Sequence, residues 1–140
     1  EVSDDGKKAN FDPETGFVDM PGGDKKFTIR PDAKTGLYWS LTNPIRDDAR
    51  GKGVNQSSLI RNTLALVSSK DLRTWTVRKE VLHHAEVVYH GFQYVDWLFE
   101  GDDIIFVSRT AYDDGLGGAH RQHDANYLTF HRLEGFRTAR

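Results

Sequence analysis

The segment Ser69-Lys70-Asp71-Leu72-Arg73-Thr74-Trp75 follows an alternating run, Thr63-Leu64-Ala65-Leu66-Val67-Ser68, and opens a second one. Alternation with period two is the mark of a half-buried strand. An Asp in a tight turn accepts bonds from N–H groups two residues on, and a Thr hydroxyl ties the far side. The Trp ring then covers the turn. Strand, acidic turn and strand in this order commit the chain to antiparallel β-structure.

The rest of the chain repeats the signal. Strands are predicted at Lys26–Arg30, Leu37–Thr42, Thr63–Ser68 and Trp75–Leu82, then at Phe92–Phe99, Ile104–Thr110 and Tyr127–Leu133. Pro31-Asp32-Ala33-Lys34-Thr35-Gly36 and Glu100-Gly101-Asp102-Asp103 read as hairpin connections. Residues 1–20 are polar and rich in turn signals. Two segments, Asn43–Asn62 and Ala111–Asn126, are long, polar and Gly-bearing, a length that compact domains keep for functional loops.

Composition removes several function classes. The 140 residues carry a net charge of −2 with no isolated basic block, so a broad nucleic-acid surface is not expected. Without cysteine there is no disulfide framework, thiolate nucleophile or Cys-based zinc site. No apolar run approaches the ~20 residues needed to span a bilayer. The first residue is Glu1, which leaves room for a leader or upstream segment.

The two strand series read as one unit written twice. Leu37-Tyr38-Trp39 matches Ile104-Ile105-Phe106, 67 residues on, and Thr63–Val67 matches Asn126–Phe130, 63 residues on. Repeated four-stranded antiparallel units are the sign of propeller blades. The expected division is an N-terminal extension or neighbouring-blade strand over residues 1–20, one blade over 21–85 and another over 86–140.

The acidic turn resembles the Ser-x-Asp-Leu-x-x-Trp turn of five-bladed glycosidase propellers and, more loosely, the Asp-box of sialidases. The segments Asp19–Arg30, His90–Trp97 and Ser108–Gly115 are similar to those of secreted bacterial sialidase-like, neuraminidase-repeat propellers. The resemblance covers about residues 19–137 and corresponds to the closing part of such proteins. It implies an all-β fold of antiparallel four-stranded blades, a partial β-propeller of the five- or six-bladed glycosidase type. It also implies a glycan substrate, no cofactor and a secreted or periplasmic location. Because propellers need at least ~4 blades, two blades imply self-association or missing blades of a longer chain.

In a four-stranded meander the second–third loops and the inter-blade connections share one rim. That rim is expected to hold Asn43–Asn62, Ala111–Asn126, His83–Gly91 and the lead-in Asp19–Lys25. Glycoside hydrolysis needs two carboxyl groups about 5–9.5 Å apart. Of the rim carboxylates Asp19, Asp24, Glu86, Asp113 and Asp124, the pair Asp113 and Asp124 flanks one loop and is the catalytic candidate. Asp96, on an alternating strand, reads at least as readily as a buried structural residue as a catalytic one. Sialidases grip the substrate carboxylate with arginines and use a Tyr nucleophile, which implies Arg61 and Arg109 for binding and Tyr112 for catalysis. His90, His120 and His123 are further sugar-binding candidates, and no metal is assigned. Phe92 and Tyr94 stand near the rim, with core packing as their default role. A non-catalytic, lectin-like carbohydrate-binding β-domain is the alternative to a glycoside hydrolase, and a self-assembling blade unit is a third possibility.

Overall fold

The computed structural model describes residues 1–139. The fold is all-β. Strands β1 (Ile29–Asp32), β2 (Leu37–Thr42), β3 (Thr63–Ser69) and β4 (Trp75–His83) form one antiparallel sheet in that order. Strands β5 (Gly91–Glu100), β6 (Asp103–Ala111) and β7 (Tyr127–Leu133) form a second, three-stranded sheet. The described residues do not close into a barrel or a propeller ring.

The acidic turn joins β3 to β4 as the sequence predicts, with one difference in its chemistry. Asp71 Oδ1 accepts the Arg73 and Thr74 N–H groups, each at 2.8 Å. The second tie is the Ser69 hydroxyl, which accepts the Leu72 N–H at 2.9 Å, rather than the Thr74 hydroxyl. Leu72 pays for the tightness with a φ of 63°.

The first strand is shifted from its expected place. Lys26–Arg30 was the predicted range, whereas pairing begins at Ile29 and runs through Pro31 to Asp32 opposite Leu37. Pro31 is tolerated because β1 is an edge strand bonded only to β2. The β1–β2 turn is pinned by Asp32, which accepts the Thr35 hydroxyl at 2.7 Å. Asp12 and Thr15 make the same turn at 2.9 Å in the N-terminal segment.

One core joins the sheets. Trp39, Leu41, Leu64 and Leu66 from the first meet Phe92, Trp97, Ile104 and Phe106 from the second. Phe136, in the 3-10 turn Phe136–Thr138, plugs this core edge-to-face against Trp39 at 5.1 Å. The repeat therefore holds as an order of elements but not as a residue equivalence. Trp39 and Phe106, which the 67-residue offset equates, both point into the shared core, whereas rotated copies of a blade would aim equated residues the same way around a ring.

At one end of the strands the hairpin turns meet; at the other the long loops do. The long loops are not loose. Residues 43–62 contain two 3-10 turns and carry a second small core of Ala49, Val54, Ile60 and Val87. Asn43 Nδ2 donates to the Thr63 and Phe92 carbonyls at 2.7 and 2.6 Å, clamping the two sheets together at the loop end. Gly91 lets the 111–126 loop press in, since a Cβ there would lie 2.7 Å from the Gln122 carbonyl oxygen.

Candidate functional site

The loop end assembles two groups of side chains. The first surrounds Tyr94, which lies in a break of the β5–β6 register between Gln93 and Asp96 and adopts a φ of 50°. A non-glycine residue held in this region is strained, and such strain gathers at functional sites. The bulge aims the ring toward cations: Lys26 Nζ and the Arg109 guanidinium lie 5.1 Å from its centroid, and that of Arg61 lies 5.4 Å away. The Tyr94 hydroxyl meets His123 Nε2 at 3.1 Å.

Arg61 is buried yet faces no carboxylate. Its Nη1 donates to the neutral amide oxygen of Gln93 at 2.6 Å, and its Nε has no partner. Gln93, fully buried, donates in turn to the Gln122 and His123 carbonyls at 2.8 and 2.9 Å. Among the described residues neither Arg61, Arg109 nor Lys26 is in an ion pair. Lys25, beside them, is bonded to Asp24 at 2.5 Å, and burial pushes its ammonium below the ordinary value despite that carboxylate.

The second group surrounds His90. Its Nδ1 meets Glu86 Oε2 at 2.7 Å, and the same carboxylate accepts the Val88 and Tyr89 N–H groups at 2.5 and 2.8 Å. Burial pushes the Glu86 carboxyl up, but the bonds from His90, Tyr89 and Val88 outweigh it and hold the group below its ordinary value. His84 stacks on His90 with ring centroids 3.6 Å apart, and Tyr112 meets both rings edge-on. His90, Tyr112, Asp113 and His120 line an open cleft of about 520 Å³. Tyr112 and Asp113 also line an adjoining cleft of about 470 Å³ with His83, Phe92, Thr110 and His131.

Arg61, Arg109 and His123 gather at Tyr94, while His90, His120, Tyr112 and Asp113 gather at the cleft; all stand at the loop end. Asp124 stands there too, but it is engaged by Arg121 Nε at 2.9 Å and by His123 at 3.3 Å. The bond from Arg121 holds its carboxyl below the ordinary value, the wrong direction for a group that must deliver a proton at neutral pH. Asp19 is not part of this arrangement. It lines a groove with Val18, Phe27, Leu72 and Trp75, beside the acidic turn. Asp96 is exposed, not buried, and pairs with Arg30 at 3.3 Å, because the bulge at Tyr94 changes the side to which the strand presents it.

Gln93, Lys26 and Tyr94 as a cation platform were not foreseen from the sequence. A bulge leaves no composition signal when it contains no glycine. The Glu86-x-x-x-His90 spacing was visible, but in a non-helical loop it carries no fixed geometry.

All four buried side-chain polar atoms that lack a partner among the described residues belong to Thr42, Arg61, Asn62 and His90. Every one sits at the loop end. Buried polar groups are normally satisfied by protein or by water, so the loop end is where the fold leaves polar atoms to solvent or a ligand. No protein-family model matches the chain, and no curated protein matches it.

Proposed function

We propose that the loop end binds an acidic glycan and that the chain is part of a carbohydrate-active β-propeller, a glycoside hydrolase acting on sialic-acid-bearing or related glycans. The observation that carries this reading is the set of three cations around Tyr94 without carboxylate partners, at the same end of the strands as an open cleft lined by phenol, imidazole and carboxylate groups. A guanidinium that is desolvated and unpaired gains most from a ligand carboxylate, because the desolvation cost is already met in the fold. Tyr94 offers its ring face and Arg109 its fork. Tyr112 and Asp113, adjacent in the cleft, are the residues from which a Tyr nucleophile and its proton acceptor would be drawn. A partial propeller requires neighbours. The outer face of the second sheet supports this, exposing Leu98, Val107, Leu128 and Phe130 beside the free edge of β7. Further blades or copies of the chain would pack over Leu98, Val107 and Phe130, short of Arg109 and its cross-strand neighbour Leu128 at the rim, in a secreted or periplasmic protein.

One observation favours a second reading, a non-catalytic carbohydrate-binding domain. Glu86 and Asp124 are both held ionised, so neither is poised as the general acid that glycosidic cleavage requires. Hydrolysis assays on sialosides and neutral aryl-glycosides separate the two. Turnover of sialosides that Tyr112→Phe and Asp113→Asn abolish supports the hydrolase. Binding without turnover supports the lectin-like domain, and neither binding nor turnover overturns both.

A further inference from the structure

We infer that the His90 cluster is a site for a divalent transition-metal ion of the zinc type, with His90 and Asp113 as its anchoring ligands. The bond from Nδ1 to Glu86 puts the ring proton on Nδ1 and leaves the Nε2 lone pair free. That nitrogen is buried, with 6% of the side chain exposed, and it has no hydrogen-bond partner. Asp113 Oδ2 stands 3.6 Å from it. This is too long for a hydrogen bond. It is close to the roughly 3.4 Å separating two ligands bound about 2.1 Å from one tetrahedral ion.

The surroundings repeat a known division of labour. A carboxylate that receives the far N–H of a ligating imidazole fixes its tautomer and raises its basicity. Glu86 is held for that task by two backbone N–H groups. His84, Glu86 and His90 each bring a ligand atom within 4.8 Å of the others. His84 can supply a third ligand only by leaving its stack on His90 as well as the 3.1 Å bond that its Nδ1 accepts from the Glu86 N–H, because stacked rings do not aim two lone pairs at one ion. Asp113 is exposed, on a loop with glycines at 115, 117 and 118, and can close on the ion without disturbing the sheets. Imidazole donors select a borderline ion over calcium or magnesium. Positions left open on the ion face the cleft, where ligand oxygens would complete the coordination.

The test is a titration of the chelator-treated chain with Co²⁺, followed by its absorption bands, and then with Zn²⁺ as competitor. One equivalent of Co²⁺ should give a tetrahedral spectrum that Zn²⁺ erases. Asp113→Asn, an exposed change that leaves the fold intact, should weaken binding at least tenfold, and His90→Gln should abolish it. Glu86→Gln should weaken it by about 10- to 100-fold, the range for loss of a carboxylate behind a ligating histidine. A chain with a native β-sheet spectrum that takes up no stoichiometric Co²⁺ overturns the assignment. So does uptake unchanged in Asp113→Asn, which would put the ion on other histidines. A carboxylate held on the ion is not free to accept the Tyr112 proton, so Co²⁺ uptake that depends on Asp113 removes Asp113 from the hydrolytic step; neither result bears on glycan binding at Tyr94, which is read separately.

Discussion

Each end of the strands holds an arginine away from solvent, and the two are partnered in opposite ways. At the hairpin end, Arg137 forks onto Asp32 with bonds of 2.8 and 2.9 Å and reaches Asp102 at 2.8 Å. Lys34 also pairs with Asp102, and Arg132 with Asp103 and Glu100. At the loop end, Arg61 is more deeply buried than Arg137 but meets only a neutral amide, and Arg109 and Lys26 meet an aromatic face. Pairing inside the protein holds the fold together. Charge left without a partner in the same fold is available to a ligand, and the contrast within one chain distinguishes the two uses.

The largest effect expected from this contrast is at the hairpin end. Asp32→Ala leaves the Arg137 fork without its buried carboxylate and should destabilise by about 3 kcal/mol, read as a lowered urea midpoint. Ligand affinity of the folded fraction should not change. The pair also sets a pH dependence. The bond from Arg137 depresses the Asp32 carboxyl well below the ordinary carboxylate range. Its stabilisation is thus complete above the unfolded value of about 3.9 and is lost as pH falls below it toward the depressed folded value. The steep acid limb of stability should flatten in Asp32→Asn.

Next comes the loop end, where the expected pattern is inverted. Arg109→Gln should leave stability within about 0.5 kcal/mol of the parent. It should weaken an acidic glycan by about 1.5–3 kcal/mol, or roughly 10- to 100-fold, and leave neutral sugars unaffected. Arg61→Met should cost no more than about 1–3 kcal/mol in denaturant melts, since it removes a buried charge that no carboxylate meets but leaves the buried Gln93 amide oxygen without its donor. A loss of more than about 3 kcal/mol would show that Arg61 is structural and would erase the contrast.

Smallest is the comparison of the two strained residues. Leu72 and Tyr94 share a left-handed backbone, but only Tyr94 touches the cations. Leu72→Gly relieves the turn and should gain up to about 1 kcal/mol in thermal melts without altering binding. Tyr94→Gly should relieve strain as well and yet lose ligand affinity.

The sequence made the sheets legible because period-two alternation and turn chemistry are local. Leu37–Thr42 and Tyr127–Leu133 coincide with β2 and β7, β3 and β4 are one residue longer at one end, and β5 and β6 one residue longer at each end. The β1 boundary failed because Pro31 masks an edge strand. The gathering of Arg61, Arg109, His90, Tyr112 and Asp113 at one end followed from counting strand reversals, which needs only topology. What was not legible depends on distances across the chain: the Tyr94 bulge, the Gln93 anchor, and the split of Asp113 from Asp124 into one free and one neutralised carboxylate. Asp124 has Arg121 three residues before it, but nothing in that spacing says whether the pair forms.

The central claim, that unpaired cations around Tyr94 receive an acidic glycan, is tested most directly by calorimetric titration of the chain with a sialoside and its neutral, desialylated counterpart. The account predicts saturable binding of the sialoside alone, weakened at least tenfold in Arg109→Gln and unchanged in Leu72→Gly. Equal affinity for both sugars, or sialoside binding that Arg109→Gln does not alter, would contradict it.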